Sequence, residues 1–240
     1  MKKFSGSIVV GFVVLLLSSF AWSGGDIAPV EPAVVVPAPV VDDSGFYVGV
    51  AYAFANENRD YTETTEGVEG NVTIIGTGEV DYNAIMAQAG YKFNKYIAIE
   101  GRYWWSLGDN DWEWSETEYV GDDLIGTTTS GSDADGDELR AWGIYIKPMY
   151  PVTEQFDIYA LLGYGNVKLS DDAGEWLDEN DFQWGIGASY EFTENLSIFL
   201  DYVRLLDEGG SSSVVLGSDI LTYTWDDTVY TVNVGLTYKF

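Results

Sequence analysis

The chain contains no cysteine and no histidine in 240 residues. The first absence excludes a disulfide scaffold, a thiolate metal site and a lipid-modified N-terminal cysteine. The second removes the side chain that usually serves as a base near neutral pH, so a serine or water nucleophile has no ordinary proton acceptor. Positive charge is scarce too, with 11 Lys plus Arg against 39 Asp plus Glu and a net charge of −28. A chain this acidic is not steered to nucleic acid. Such charge on a weakly hydrophobic chain would mean disorder, but here 46% of residues are apolar and 15% aromatic. The charge must therefore be segregated from a large apolar surface.

Long apolar runs are missing except at the front. MKKFSGSIVVGFVVLLLSSFAWS places Lys2 and Lys3 before an apolar stretch from Ile8 to Leu17 and small residues at Ala21 and Ser23. This is the pattern of a secretory signal peptide over 1–23, cleaved after Ser23, and the stretch is short for an uncleaved anchor helix. Residues 24–44 carry Pro29, Pro32, Pro37 and Pro39, which deny the segment a helix or a ladder and predict an extended periplasmic linker.

From Gly45 the sequence alternates with period two. In GFYVGVAYAFA (45–55), Phe46, Val48, Val50, Tyr52 and Phe54 share one face. The same alternation runs through 85–93, 97–107, 140–150, 156–165, 181–192, 196–206 and 230–240, which makes eight strands. Each is about 9–12 residues, enough for a tilted strand to cross a bilayer. Short turns near 94–95, 151–155 and 193–195 alternate with long connections at 56–81, 108–138, 169–180 and 207–227. Aromatic residues gather near both strand ends, where amphipathic rings favour the headgroup level. The fold expected over 45–240 is all-β: an eight-stranded antiparallel up-and-down transmembrane β-barrel with both termini on the short-turn side.

The GFYVGVAY opening strand, the GYGNV and GIGASYEF segments and the terminal TYKF together resemble the small eight-stranded outer-membrane β-barrel superfamily. Its members include OmpA-like transmembrane domains and opacity-type surface proteins. The resemblance implies an outer-membrane location in a Gram-negative bacterium and a monomer surrounded by membrane lipid and lipopolysaccharide. It also implies a role for Tyr238 and Phe240 as the signal read by the barrel-assembly machinery. The soluble peptidoglycan-binding domain of full-length OmpA-like proteins has no counterpart before Phe240, so that role is not carried over. Barrel-borne enzymes resembling this superfamily depend on a catalytic histidine, so no enzymatic activity and no cofactor are expected.

Two groups of residues are candidates for function. Alternation turns Lys92, Glu100, Arg102, Lys147, Asp157, Glu191, Asp201 and Lys239 into the lumen. Side chains just fill an eight-stranded barrel, so these are expected to form a salt-bridge network that plugs it. A narrow ion path through the network is the alternative. The long connections hold most of the acid and the exposed-ring candidates Trp112, Trp114, Tyr119, Trp176 and Trp225, residue types favoured at recognition surfaces. The competing expectation is that the strands continue beyond the membrane and these rings pack on one another. Asp133, Asp135 and Asp137 suggest weak divalent binding, but the segment fails the EF-hand spacing: Gly136 is two positions early and Ile144 occupies the closing acidic position. The function expected is a non-enzymatic contribution to envelope structure. Adhesin-type binding through the loops and a low-conductance channel are the alternatives.

Overall fold

The computed structural model describes residues 43–67, 70–135, 138–171 and 174–240. The expected signal peptide, and the linker as far as residue 42, lie outside the described residues. Nine strands follow in chain order: β1 (Gly45–Gly67), β2 (Gly70–Asn94), β3 (Ile97–Val120), β4 (Asp123–Asp135), β5 (Glu138–Pro151), β6 (Phe156–Asp171), β7 (Gly174–Glu191), β8 (Leu196–Leu216) and β9 (Asp219–Lys239). Eight of them close a ring, β1-β2-β3-β5-β6-β7-β8-β9, with every pairing antiparallel and β9 returning to β1. The ninth, β4, pairs only with the far half of β3. The eight-stranded barrel read from periodicity is therefore the fold. Closure leaves no unpaired edge in the ring, as a strand surrounded by lipid requires.

The strands are longer than expected. β1 runs for 23 residues and β2 for 25, where about 9–11 cross a bilayer. The connections anticipated as loops are largely continuations of the strands. They are rich in Thr, Tyr and Val, which suit a pleated surface whether or not one face is apolar. Tight turns close two of them. Gly121 (φ 62°) and Gly217 (φ 71°) begin two-residue turns between Val120 and Asp123 and between Leu216 and Asp219. A positive φ there matches the twist of the flanking strands and is natural for glycine. Above the ring, β4-β3-β2-β1-β9-β8 continue as one open sheet of six strands. The β6–β7 hairpin, paired with β5 as far as Glu138↔Ser170, stands apart from this sheet, because β7 meets β8 only over 184–191.

Burial alternates as the sequence predicts. On β5 the inward Leu139, Ala141 and Tyr145 are fully buried, while Trp142, Ile144 and Ile146 face outward. The outward aromatics form two bands. At the short-turn end Phe46, Tyr91 and Phe93 meet edge to face, as do Tyr190 with Phe192 and Tyr238 with Phe240. Toward the hairpins Tyr103 neighbours Trp105, and Tyr202 lies between Trp184 and Tyr230. An apolar face this large would aggregate in water, whereas a bilayer buries it.

Glycines admit large side chains into the lumen. A Cβ on Gly143 would strike the Tyr145 hydroxyl and the Gln183 amide. Overpacking a close-packed interior costs about 1–3 kcal/mol, so Gly143→Val should lower the urea midpoint of the refolded barrel. An unchanged midpoint would mean that the lumen is not packed around this pair.

Candidate functional site

The lumen is filled in three zones along the strands. At the short-turn end Lys92 Nζ lies 2.9 Å from Asp43 and 3.9 Å from Glu191, while Lys239 Nζ lies 3.0 Å from the other Asp43 oxygen. Asp157 sits half-buried with no ion pair among the described residues. Burial alone would raise the Asp43 carboxyl, but hydrogen bonds from both lysines outweigh it and hold the group below its ordinary value. Asp43, assigned from sequence to the linker, thus belongs to the barrel: the segment entering β1 reaches into the mouth and clasps the first hairpin to the last strand.

The middle zone is buried and ionic. Arg102 Nε is 2.5 Å from Glu100, and its Nη2 is 2.8 Å from Asp201; all three side chains have no exposed surface. Lys147 Nζ reaches the second Glu100 oxygen at 3.0 Å. Two carboxylates face two cations, so the buried charge balances. The remaining lone pairs are used as well. Tyr47 donates to Glu100 at 2.6 Å, Tyr159 to Asp201 at 2.8 Å, and Asn233 to Asp201 at 2.8 Å, while Trp104 donates to Asn233. Charges survive burial only with this degree of pairing.

Above it the lumen is mainly apolar, with Leu139, Val167, Leu169, Leu205, Leu206 and Val229 all buried, but Glu57 is buried among them, opposite Val229 in register and bonded by the Tyr82 hydroxyl. The eight lumen residues read from sequence therefore form two clusters rather than one network, with Asp157 outside both. The polar partners Tyr47, Tyr159, Asn233 and Asp43 were missed, although the alternation itself turns the first three inward. Neutral residues carry no obvious flag in a sequence, and Asp43 precedes the alternating stretch.

The open sheet carries the ring candidates. Register places Trp112, Trp114 and Trp225 on the face continuous with the lumen, opposite Val80, Gly78 and Tyr61. Tyr119 pairs with Thr73 on the outer face. Trp176 comes from the separate hairpin, and the Arg59 guanidinium lies 4.7 Å from its ring centroid. Arg59 also grips Asp227 with two bonds of 2.6 and 2.7 Å. That hydrogen bonding raises the arginine's pKa against the opposing effect of burial. Tyr61 donates to Glu116 and receives a bond from Trp114 Nε1 at 3.3 Å. Burial and the Glu116 acceptor push its phenol up to about 12. Of the ring candidates, Trp114 and Trp225 thus meet other aromatic residues on the inner face, while Trp176 packs on Arg59 and Tyr119 lies on the outer face. For the divalent candidates, β4 includes Asp133 and Asp135 without described side chains, and Asp137 lies outside the described residues.

A closed ring with an apolar exterior between aromatic bands defines a membrane-spanning barrel. A family model for the outer membrane protein beta-barrel domain matches residues 28–240, and the chain belongs to that family. Its place is accordingly the outer membrane, with the short turns in the periplasm and the open sheet outside the cell. No curated protein matches the sequence. Among solved structures, OprG of Pseudomonas aeruginosa is 14% identical, covering 82% of this chain and 96% of its own, with a TM-score of 0.46. Ail of Yersinia pestis, solved with the heparin analogue sucrose octasulfate, is 13% identical over 79% of this chain and 99% of its own, with a TM-score of 0.35. The outer membrane protease OmpT of Escherichia coli is 13% identical over 81% and 97%, with a TM-score of 0.39. At such identities and scores the family assignment rests on the family match.

Two outcomes follow from the lumen. Removing one partner of a buried ion pair costs about 3–5 kcal/mol, so Arg102→Leu should destabilise the barrel by that order in urea titrations; a loss within error would show the cluster to be solvated. Asp43 has a lowered pKa in the fold, so its contribution is present above the unfolded carboxyl value, near pH 4, and is lost as pH falls through the folded value. Asp43→Asn should lower stability at pH 7 and flatten the acid limb of the stability profile, and an identical acid limb in both proteins would reject the clasp.

Proposed function

We propose that the protein is a non-enzymatic, monomeric, non-conducting component of the outer membrane that contributes to envelope structure. The observation that carries this reading is the filled lumen: a clasped periplasmic mouth, a buried ion-paired middle and a mainly apolar upper zone around the buried Glu57. An ion crossing it would have to break buried ion pairs and displace packed side chains, a cost of several kcal/mol. Porin-type conduction belongs to barrels of about 16 strands, whose interiors exceed what side chains can fill. The absence of histidine argues in the same direction for catalysis. The barrel-borne hydrolases that this superfamily resembles rely on that base.

Planar-bilayer recording of the refolded protein tests the reading. No discrete conductance is expected in several hundred millimolar salt, for the native chain or for Lys147→Met. Reproducible steps that change with Arg102→Ala would overturn it in favour of a small channel.

A further inference from the structure

The inner face of the open sheet carries a feature that neither a plug nor a membrane anchor requires. Tyr61, Tyr223 and Trp225 form a contiguous row of rings. Tyr61 and Tyr223 have centroids 5.7 Å apart at 32°, and Tyr223 and Trp225 lie 5.8 Å apart at 25°. Two of the rings lie over glycines. A Cβ on Gly76 would strike the Tyr61 ring, and one on Gly210 would strike Trp225. The missing Cβ lets each of these two rings lie close against the sheet. The three are half-buried rather than buried. Trp114 and Glu116 anchor one side of this floor through the Tyr61 hydroxyl.

Charge selects what such a floor accepts. π faces carry negative quadrupole potential and attract cations. Glu208 and Asp227 stand opposite each other in register beside Trp225 and Gly210. Burial raises the Glu208 carboxyl, and repulsion from Glu179, Asp181 and Asp227 adds to that. The chain's own cations relieve this potential only in part: Arg59 neutralises Asp227, whereas Glu208 has no ion pair among the described residues. At the outer end Arg59 is held by Asp227 and Trp176, Arg140 by Glu138, Lys168 by Glu175 and Asp178, and Arg204 by Asp207. Among the described residues no lysine or arginine is seated over Tyr61, Tyr223 or Trp225. Arg59 on Trp176, backed by Asp227, already displays in miniature the chemistry the floor offers: a cation on an indole face with a carboxylate behind it.

We propose that this aromatic floor is a binding site for the lysine or arginine side chains of a basic peptide segment of a partner protein. Anionic partners are repelled by the same carboxylates. A neutral saccharide would stack on the rings but would gain nothing from the surrounding charge. The proposal does not depend on whether the lumen conducts.

The test is titration of the refolded full chain with penta-lysine, read by tryptophan fluorescence and by calorimetry, with fully acetylated penta-lysine and maltopentaose as controls. Saturable binding of penta-lysine alone is expected, weakening as salt rises. Trp225→Leu and Tyr223→Leu keep every carboxylate and should each weaken it roughly tenfold, the order a desolvated cation–π contact supports. Heat-modified gel mobility verifies that each variant is folded. Equal affinity in both folded variants would reduce the interaction to diffuse attraction by surface acid and overturn the site. Binding of maltopentaose in preference to penta-lysine would assign the floor to saccharides and overturn it as well.

Discussion

Every backbone N–H and C=O that meets lipid must find its partner inside the protein. In this chain that demand is met by one seam. β1 and β9 pair without interruption from Tyr47↔Lys239 to Glu66↔Ile220, joining the two ends of the described fold. Without that pairing the ring would present two unpaired edges to hydrocarbon, and none of the seven other pairings of the ring would compensate. The seam is reinforced at its periplasmic end. Phe240 donates its backbone N–H to Phe46, and Asp43 ties Lys239 to Lys92 across β1. Closure thus recruits the segment before the first strand as well as the strand itself.

Closure also dictates the interior. An eight-stranded ring has room for side chains and little else, so whatever alternation turns inward must be compatible with low dielectric. The chain combines two solutions. Toward the outer end it places leucine and valine around a buried Glu57 bonded by Tyr82. In the middle it places a charge-balanced cluster in which Tyr47, Tyr159 and Asn233 bond the carboxylates, while Arg102 Nη1 has no hydrogen-bond partner among the described residues. Glycines at positions such as 143 and 165 then make space for Tyr145 and Gln183. Ionic pairing of this kind stabilises less than well-packed apolar groups would. Its effect is a steep penalty for any register in which one partner turns outward into lipid, since a one-residue slip reverses every side chain.

Much of this was legible in the sequence. Period two over Phe46–Phe54 or Phe182–Phe192 leaves no other assignment, because an apolar face repeated eight times has to meet lipid or a second sheet. The lumen charges were legible for the same reason, being the exceptions on the inward face. What was not legible lies where the outward face ceases to be apolar. Residues such as Thr62, Thr64, Thr73 and Thr77 still alternate in a pleat, yet both of their faces are polar. Hydropathy then falls silent, and only β-propensity and the two glycine turns mark the strand. The ring candidates suffered from this directly. Trp112 and Trp225 look exposed in a loop, but in a continued strand their parity turns them onto the lumen face.

That parity explains how so acidic a chain tolerates its own charge. On the open sheet, carboxylates directly opposite one another, as at Asp60 and Asp226 or Glu79 and Glu113, are destabilising neighbours. The strands are nevertheless held together there by groups that do not add positive charge: contacting rings, hydroxyl pairs such as Thr117 with Thr127 and Ser213 with Thr222, and Asn56 bonded to both Glu79 and Asp81. The four basic residues at this end are each bound to carboxylates of the same chain, at the root of a hairpin or across it. Aromatic and hydroxyl contacts thus carry the cohesion that lysine would otherwise supply, and the outer sheet keeps its negative potential. In a protein whose membrane-facing half is neutral, that potential is a property of the hairpins alone, and it sets which partners can approach them.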